Sequence, residues 1–411
     1  MDGLTRNILF ISYDGMTDPL GLSQVIPYLT GLSRYQMNFT ILSCEKPENY
    51  ARHKDYVSGL LKPYPIRWVA LPYHKKPRIL STIYDVDAMK RMARRLHKES
   101  PFDLVHTRAG IPSLVGLWMK QKLGVKFLHD IREFYADSRV EAGLWNTRIL
   151  PYRWIYRYFK NKEIAEVEHC DGIVCLTYAA EKIILKWPQL QNPRPVEVIP
   201  CSVDMNLFDP ARIDPRKKEE LRNRLGLRKD DWVISYLGSL GGWYLTAEMI
   251  GFMKTILDKN PRAKFLFISP HQHKKIRNTT LKYGIPAERV LVQKARRDGV
   301  PLLLSLSHYS LFFIKPCYSK KSSSPTKHGE IMAMGIPVIT NSGVGDVETI
   351  VEKYNSGVVL KKLEQEDYQH YAEILKSLQF DPQKIREGAI QYYHLDAAVQ
   401  KYLKVYRQLL G

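Results

Sequence analysis

The sequence has few cysteines and few acidic residues, and no uninterrupted hydrophobic run long enough to cross a bilayer. The cysteines are Cys44, Cys170, Cys175, Cys201 and Cys317. Their odd number and lack of metal-ligand spacing argue against a disulfide-stabilised or zinc-binding domain, and predict reduced thiols in a cytoplasmic protein. The longest apolar stretch, 300–314, contains serines and His308. The sequence from Met1 onward lacks the basic and apolar segments of a signal peptide.

Acidic residues are outnumbered by basic ones, 42 to 62, which gives a net charge of +20. A surplus of this size predicts an anionic partner: nucleic acid, an acidic membrane surface or a phosphate-bearing substrate. No nucleic-acid-binding motif accompanies the charge, so we predict no nucleic-acid partner. An ordinary solvated surface that is merely basic remains the alternative.

Short apolar runs alternate with amphipathic segments throughout the 411 residues. We predict strands at 7–13, 38–43, 66–70, 103–106, 125–128, 171–175 and 196–199 and, after the proline-rich stretch 199–215, at 231–237, 264–268, 289–292, 309–314 and 336–339. Continuous rather than alternating hydrophobicity predicts parallel strands that are buried on both faces. The fold class is therefore α/β, with two doubly wound Rossmann-like domains facing each other across a cleft.

The predicted domains are 1–203, 204–385 and a C-terminal helix within 386–411 that packs back on the first domain. The predicted helices include 22–34, 85–98, 244–259, 272–283, 298–306, 326–334, 364–377, 382–392 and 396–410. Since ligands of open α/β sheets bind beyond the carboxyl ends of the strands, the loops that follow strands are where chemistry is expected.

Two loops of the first half carry candidate residues. Gly15 and Gly21 follow the first strand and could bring backbone amides and the start of helix 22–34 close to a ligand, although an ordinary βα turn explains them equally well. Their spacing is not the dinucleotide-binding fingerprint. The stretch 129–145 crowds acids, arginines and aromatics after a strand, starting with His129 and Asp130. A functional site is favoured there over a structural ion-pair cluster, whereas His106 alone suggests a core histidine.

The second half offers a phosphate-sized site. The backbone of the glycine-rich loop 238–244 could face an anion through Gly238, Ser239, Gly241 and Gly242. Around 320–330, Lys320, Lys321 and Lys327 surround a helix start at Pro325 that Ser324 or Thr326 could cap. These residues predict a diphosphate at the helix start, with Glu330 one turn deeper for sugar hydroxyls. A capped surface helix with a solvated glutamate is the alternative.

Four stretches resemble the retaining nucleotide-sugar glycosyltransferases of family 4, which have the GT-B fold. They are YDGMTDPLGLSQVIPYL, FLHDIREFYADSRVEAGLW, CDGIVCLT with VIPCSVDMNLF, and KHGEIMAMGIPVITNSGVGDVETI, and they occur in the family's order. The resemblance implies a UDP- or GDP-type nucleotide-diphosphate sugar as donor, with no bound cofactor and no metal. It implies transfer of a hexosyl unit, with retention, to a glycan or a polyprenyl- or lipid-linked acceptor during cell-surface polysaccharide or glycolipid synthesis.

The resemblance also assigns roles to residues. Glu330 resembles the second glutamate of the family's paired motif, which binds the ribose, while Ser322 stands where the first glutamate is expected. The family's Arg and Lys after the first strand of the second domain are absent, so Lys327, with Arg296 or Arg297, is expected to bear the leaving-group charge. His129 is expected to hydrogen-bond the sugar, and Asp130 to orient His129 or to meet the acceptor. Gly343 and Gly345 are expected to let backbone amides approach the diphosphate or the sugar. The departing diphosphate itself can accept the acceptor's proton.

Three further points concern a possible metal site, a possible membrane surface and the type of activity. The Asp85–Val86–Asp87 segment is interpreted as solvated surface rather than a metal site. The aromatic and basic segment 148–162 could lie on the inner face of an anionic membrane, or could be a packed helix with a wet basic side. A nucleotide-sugar epimerase or phosphorylase of the same fold, or a non-catalytic basic binding module, are the alternatives to a transferase.

Overall fold

The computed structural model describes residues 5–411, apart from the side chain of Arg78. These residues form two compact units. Unit 1 contains the chain through Ser202 together with Leu395–Gly411, and unit 2 contains Val203–His394. Unit 1 is therefore assembled from two stretches that are separated by the whole of unit 2.

Unit 1 contains a seven-stranded, fully parallel sheet in the order β3-β2-β1-β4-β5-β6-β7. Its strands are β1 (Arg6–Ser12), β2 (Met37–Glu45), β3 (Ile66–Pro72), β4 (Leu104–Arg108), β5 (Lys126–Ile131), β6 (Gly172–Cys175) and β7 (Val196–Val198). All seven strands predicted for this half are confirmed, within a few residues at each end. Strands β4 and β6 are buried along their whole length because helices cover both faces of the sheet.

The helices of unit 1 separate into two layers. They are α1 (Pro19–Gln24), α2 (Ile26–Leu32), α3 (Pro47–Leu61), α4 (Arg78–Glu99), α5 (Gly110–Leu123), α6 (Tyr135–Glu141), α7 (Leu150–His169) and α8 (Tyr178–Ile184). Helices α4, α5, α7 and α8 contribute to one core, while α2 and α3 contribute to the core on the other face.

The helix predicted over 22–34 is instead two short helices. The first begins at Pro19 and the second at Ile26, with a break at Val25 (φ −123°, ψ −63°). Pro27 has no amide hydrogen to donate to the carbonyl of Ser23, so one continuous helix is disfavoured. Gly21 therefore lies inside the first helix rather than in front of it.

Unit 2 contains a six-stranded parallel sheet in the order β10-β9-β8-β11-β12-β13. Its strands are β8 (Trp232–Leu237), β9 (Ala263–Ile268), β10 (Val290–Gln293), β11 (Tyr309–Leu311), β12 (Val338–Asn341) and β13 (Gly357–Leu360). The five predicted strands are confirmed. The edge strand β13 was not predicted, because four residues are too few to show a periodicity.

Helices cover the second sheet as well, over one continuous core. They are α9 (Pro215–Arg224), α10 (Thr246–Lys259), α11 (His273–Lys282), α12 (Val300–Leu304), α13 (Thr326–Ala333), α14 (Val347–Tyr354), α15 (Gln365–Ile374) and α16 (Pro382–Tyr393). With two doubly wound parallel sheets, the predicted pair of Rossmann-like domains is confirmed.

The last helix, α17 (Leu395–Leu410), belongs to unit 1. Its Val399 packs so tightly on Gly31 that a Cβ at that glycine would lie 2.7 Å from Val399 Cγ2. Polar contacts hold the middle and the C-terminal end of the helix: Lys401 Nζ donates to the carbonyl of Val198 (2.8 Å), and Arg6 donates to the carbonyl of Leu410 (3.0 Å). Across residues 5–411, no helix is both long and apolar enough to cross a bilayer.

Candidate functional site

The glycine loop after β1 is occupied by a side chain of its own unit. The buried carboxylate of Glu45 accepts hydrogen bonds from the amides of Met16 (2.6 Å) and Thr17 (3.2 Å). A Cβ at Gly15 would lie 2.5 Å from Glu45 Oε2, and one at Gly21 would lie 2.3 Å from the carbonyl oxygen of Gly15. These glycines therefore permit close packing around Glu45, and the amides expected to face a ligand already have an anionic partner.

His129 lies on β5 with its ring buried. Its Nδ1 is 2.9 Å from Ser113 Oγ, and its Nε2 is 3.8 Å from the carboxylate of Glu166 on α7. Burial lowers the pKa of His129 to about 4, although Asp130 opposes the shift. The imidazole is thus neutral at physiological pH and is held in one orientation, as a hydrogen-bonding rather than an ionic group.

Asp130 faces a different set of partners from its neighbour His129, because successive side chains of a strand point to opposite faces. Its carboxylate is fully buried and accepts hydrogen bonds from Arg132 (2.7 Å) and the Tyr402 hydroxyl (2.9 Å), with His106 Nε2 at 3.3 Å. The pKa of Asp130 is lowered: burial raises it, but the charge of Arg132 and the bond to His106 prevail. Asp130 therefore binds α17 and does not lie where an acceptor could reach it.

The rest of the dense 129–145 stretch forms ion pairs within unit 1. Glu133 accepts from Arg139 (3.1 Å), and Asp137 accepts from both Tyr156 (2.9 Å) and Lys160 (3.0 Å) of α7. Much of the stretch is α6, which these bonds attach to α7. The alternative that the sequence left open, a structural ion-pair cluster, describes these side chains.

The Asp85–Asp87 segment is only half solvated. Asp85 is buried on α4 and accepts hydrogen bonds from the Tyr13 hydroxyl (2.8 Å) and from His74 Nδ1 (2.6 Å). Asp87 is exposed and pairs with Arg91 (3.3 Å). The prediction of a solvated surface is thus wrong for Asp85, which is engaged in a structural contact.

In unit 2, Lys327 and the glycine-rich loop after β8 come together. A Cβ at Gly238, whose φ is +115°, would lie 3.1 Å from Lys327 Nζ. That ammonium also lies 3.6 Å from the ring centroid of Tyr244 and 4.3 Å from that of Tyr236. The loop is fixed beneath it, because the Tyr236 hydroxyl donates to the carbonyl of Ser239 (2.6 Å). The first turn of α13 thus directs a cation at the loop expected to hold phosphate.

Lys327 is a buried cation that lacks a hydrogen-bond acceptor. Its side chain is 7% exposed, and within residues 5–411 no acceptor reaches its Nζ. Burial lowers its pKa to about 7, and Glu330 only partly opposes that shift. Two aromatic faces attract an ammonium but do not replace its hydrogen bonds, so the group is suited to meeting an anionic ligand.

The other loop groups have mixed roles. The amide of Gly238 donates to the carbonyl of Ile268 (2.8 Å), and that of Gly241 donates to Thr246 Oγ1 (3.1 Å). Ser239 and Gly242 are exposed, and their amides have no partner within the described chain. The amides of Gly238 and Gly241 are therefore engaged within the protein, whereas those of Ser239 and Gly242 are open to solvent.

Glu330 lies one turn after Lys327 and is buried. Its Oε1 accepts a hydrogen bond from Arg297 (2.5 Å). Burial raises the pKa of Glu330, and the adjacent Arg297 opposes the rise. Of the two arginines that the sequence offered, Arg297 is the one at this site, whereas the Arg296 side chain is 83% exposed and lies 4.0 Å from Asp298. Of the two alternatives, it is Arg297 that contacts Glu330.

The start of α13 differs from the predicted capped helix. Pro325 is itself the N-cap residue and has no side-chain group that could cap the helix, and Thr326 is the first residue of the helix. Ser322, at the place of the family's first glutamate, is buried and donates to the carbonyl of Ser319 (2.8 Å). In the first turn, the amide of His328 donates to the carbonyl of Pro325 (2.9 Å).

The two glycines after β12, Gly343 and Gly345, make contacts within unit 2. The amide of Gly345 donates to the carbonyl of Lys320 (2.9 Å), so it is not available to a diphosphate. Gly343 packs against Pro316, where a Cβ would lie 2.9 Å from the proline Cβ. Lys320 is buried, with its ammonium 3.9 Å from the ring centroid of Trp243. These contacts join the segment 316–320, which precedes α13, to the loop after β12 and to the loop after β8.

The aromatic side chains of this site were not predicted. Tyr236 and Tyr244 form the surroundings of Lys327, and Trp243 forms those of Lys320. The only signal in the sequence is the Trp-Tyr pair directly after the glycines at 241–242. Tyr236 lies inside a buried strand, where an aromatic residue is indistinguishable from core.

Comparison with known proteins identifies the class. The sequence profile of Glycosyltransferase Family 4 matches residues 29–207, and that of Glycosyl transferases group 1 matches residues 217–392. The two matches together extend over most of the chain, and both sheets have the arrangement of the GT-B fold. The chain belongs to the family 4 glycosyltransferases. It is a glycosyltransferase of the GT-B kind.

Individual relatives agree with this class. A D-inositol 3-phosphate glycosyltransferase from Thermomonospora curvata is 23% identical over 327 residues, which cover 76% of this chain and 73% of that protein. The crystal structure of a glycosyltransferase from Rickettsia africae superposes with a TM-score of 0.69 at 15% identity, covering 99% of both chains. Anabaena HepE in complex with UDP-glucose gives 0.68 at 14% identity, covering 98% of this chain and 99% of that one.

Proposed function

We propose that this glycosyltransferase transfers a hexosyl unit, with retention of configuration, from a UDP- or GDP-type sugar. The acceptor is a glycan or a polyprenyl- or lipid-linked sugar in the synthesis of a cell-surface polysaccharide or glycolipid. One observation carries the proposal: Lys327 is a buried ammonium without an acceptor, and it lies beside Gly238 of the glycine-rich loop of unit 2. A diphosphate supplies the missing acceptor oxygens. That Anabaena HepE was crystallised with UDP-glucose supports this class of donor.

Each residue of unit 2 has a role in this proposal. Lys327 and the amides of Ser239 and Gly242 bind the diphosphate and stabilise the charge that develops as it departs. Glu330 accepts hydrogen bonds from the ribose hydroxyls, and the hydrogen bond from Arg297 orients its carboxylate. We propose that these groups, rather than a metal ion, neutralise the leaving group.

In unit 1 we propose that His129 hydrogen-bonds a hydroxyl of the transferred sugar. Its ring is held in a fixed orientation, with Nδ1 2.9 Å from Ser113 Oγ and Nε2 3.8 Å from the carboxylate of Glu166. Asp130 acts at a distance as a positioning residue through its buried bonds to Arg132 and Tyr402. The proton of the acceptor passes to the departing diphosphate, and no protein base is required.

Nucleotide titration tests the donor assignment. UDP or GDP is expected to raise the melting temperature of the wild-type protein and to bind more weakly to the Lys327→Met variant. If neither nucleotide shifts the melting temperature at millimolar concentration, the donor assignment fails. The anomeric configuration of the first product, read by NMR before mutarotation, tests retention. Activity that persists in excess EDTA supports a metal-free leaving group, and loss that Mg²⁺ or Mn²⁺ restores refutes it.

A further inference from the structure

The ends of two helices in unit 1 extend beyond the helix that lies between them. Helices α4 and α7 both pack against α5, and all three end a few residues before the next strand. Helix α4 has 22 residues and α7 has 20, but α5 has only 14. At 1.5 Å per residue, the first turns of α4 and α7 project by about 12 Å and about 9 Å past the start of α5. They do so at the carboxyl edge of the sheet.

These projecting turns carry much of the exposed apolar surface. Eight of the nineteen large hydrophobic side chains that are exposed in residues 5–411 lie there or in the loop 142–149, and a ninth, Tyr158, lies one turn further along α7; the eight are Ile79, Leu80, Ile83, Tyr84, Leu144, Ile149, Leu150 and Trp154. Leu80 is 65% exposed and Trp154 64%. Single exposed apolar residues are common in soluble proteins, but a concentration of this kind indicates an interaction site. We call these nine residues the apolar rim.

Helical spacing aligns the members of the apolar rim. Leu150, Trp154 and Tyr158 are four residues apart on α7 and so form one stripe. The loop before α7 is held in place, since the Trp145 ring stacks on Phe159 (5.3 Å between centroids) and meets Tyr135 edge-on (5.9 Å). The packed-helix alternative for 148–162 therefore fits Phe159, whereas Trp154 and Tyr158 face solvent.

The charge beside the apolar rim has one sign. The sequence from 142 to 162 contains five basic residues and no acidic one, and 73–84 contains three basic residues and no acidic one. Arg148, Arg153 and Arg157 are exposed beside Leu150 and Trp154. Two carboxylates close in sequence to these ranges are engaged inside unit 1: Asp85 is bonded to Tyr13 and His74, and Asp137 to Tyr156 and Lys160. The exposed Asp87 pairs with Arg91.

We propose that the apolar rim and its arginines dock this enzyme on an anionic lipid bilayer. Tryptophan, tyrosine and aliphatic side chains enter the interface between headgroups and acyl chains, while arginines contact the phosphates. A second copy of the chain fits the surface poorly, because it brings a basic array against a basic array. A nucleic acid fits less well, because six of the nine rim side chains are aliphatic and offer no plane for stacking.

Docking at this edge has a consequence that rests on the proposed function. Ligands of open α/β sheets bind beyond the carboxyl ends of the strands, which is the edge that the rim extends. An acceptor sugar on a lipid anchor is thereby presented to unit 1 from the bilayer surface. The docking proposal itself rests on the exposed apolar side chains and the basic charge of the rim, and not on the proposed function.

Vesicle sedimentation tests the docking surface. Wild-type enzyme is expected to sediment with phosphatidylcholine vesicles that contain phosphatidylglycerol and to remain in solution with phosphatidylcholine alone. The double variant R153Q/R157Q is expected to lower the partition coefficient by about tenfold or more, given the usual contribution of each basic residue near an anionic surface. The variant L80S/W154S is expected to lower it at least as much.

Matched controls come from unit 2, where Leu281 is 61% exposed and Arg216 and Lys217 are exposed on α9. L281S and R216Q/K217Q are expected to bind vesicles like the wild type. Equal loss in the controls, or equal binding to neutral vesicles, overturns the proposal. Self-association of the wild type that L80S/W154S abolishes, without vesicle binding, also overturns it. If L80S/W154S does not fold, W154F with brominated lipid provides the test: the wild type is quenched more than the variant.

The same preparations separate the two proposals. A UDP- or GDP-induced rise in melting temperature without vesicle binding refutes the docking surface and leaves the donor site intact. Vesicle binding without any nucleotide effect refutes the donor site and leaves the docking surface intact.

Discussion

The ammonium of Lys327 lies 3.6 Å from the centroid of the Tyr244 ring, with Tyr236 on another side at 4.3 Å. Two electron-rich faces hold the cation in place without satisfying its hydrogen bonds. The side chain is thereby preorganised for an anion before any ligand arrives, which is the condition under which a charged group contributes most to transition-state stabilisation.

Replacing Lys327 by methionine is expected to lower kcat more than donor affinity. The charge is needed most when the diphosphate departs, so we expect a loss of about 10² to 10³ in kcat/KM, as for other preorganised charge stabilisers. Steady-state kinetics with the donor identified by nucleotide titration provides the measurement. Lys353→Met is the control, because Lys353 also lies over a tyrosine ring (5.0 Å) but is exposed. An equal loss in kcat and in affinity contradicts a specific role in the departure.

Donor binding above neutral pH is expected to take up a proton. Burial lowers the pKa of Lys327 to about 7, so the amine is mostly neutral at pH 8 in the free protein. A bound diphosphate favours the charged form and raises that pKa, so affinity falls as the pH rises through this range. Isothermal calorimetry of UDP in buffers of different ionisation enthalpy measures the uptake. Lys327→Arg keeps its charge and should take up no proton, and the same uptake in that variant contradicts the assignment.

Removing the Glu330 carboxylate is expected to weaken nucleotide binding without unfolding unit 2. Hydrogen bonds to a charged group contribute about 2 kcal/mol, so Glu330→Ala should weaken UDP binding by roughly thirtyfold. Arg297 is then unpaired, but its side chain is 34% exposed and can turn toward water. Calorimetry measures the affinity, and a thermal melt verifies the fold. The exposed Glu366→Ala serves as control; an unchanged affinity in Glu330→Ala removes that residue from the ribose site.

The buried histidines are expected to make the protein acid-labile. Burial lowers the pKa of His129 to about 4 and of His328 to about 3. The unfolded chain binds protons near pH 6.5 and the folded chain does not, so each group removes about 1.4 kcal/mol of stability per pH unit below 6.5. The loss ends near each folded-state pKa. Urea midpoints between pH 7 and pH 4.5 should therefore fall less steeply for His328→Asn than for the wild type. The exposed His370→Asn should follow the wild-type slope.

The Tyr402 hydroxyl is expected to contribute to the free energy of unfolding of unit 1. It donates to Asp130 (2.9 Å) and accepts from Arg132 (2.5 Å), and all three side chains are buried. Tyr402→Phe leaves both charged partners short of one bond, at a cost of about 1–3 kcal/mol in the free energy of unfolding. Chemical denaturation measures this, with the exposed Tyr56→Phe as control. A variant as stable as the wild type shows that Asp130 and Arg132 satisfy each other without α17.

The sequence was sufficient to predict the two sheets, because buried parallel strands appear as continuous apolar runs between helical segments. It also singled out Lys327 and Glu330, since a lysine and a carboxylate one turn apart at a helix start are unusual in an otherwise apolar helix. Capping was mispredicted: Ser324 and Thr326 are good capping residues, but the chain turns at Pro325 instead. Such backbone choices depend on packing around the loop.

The first half was harder to interpret, because the same residue types serve ion pairs and catalysis. Asp130 and Arg132 look like site residues in the sequence, but their partner is Tyr402, some 270 positions away. No local pattern announces a contact of that separation. The occupation of the first glycine loop by Glu45 was hidden for the same reason, since a carboxylate at the end of one strand does not show which neighbouring loop it will bind.

The return of α17 to unit 1 sets an order for biosynthesis. A ribosome releases the N-terminal strands and helices long before Leu395–Gly411 exists, so Gly31, Asp130 and Arg132 must wait for their partners until translation is nearly finished. Unit 1 is therefore completed only after unit 2 has been synthesised. Until then, the nascent chain exposes the surface that α17 will cover. A truncated gene that stops after Ser202 should accordingly yield an aggregation-prone product, and joining 395–411 to it through a short flexible linker should restore solubility.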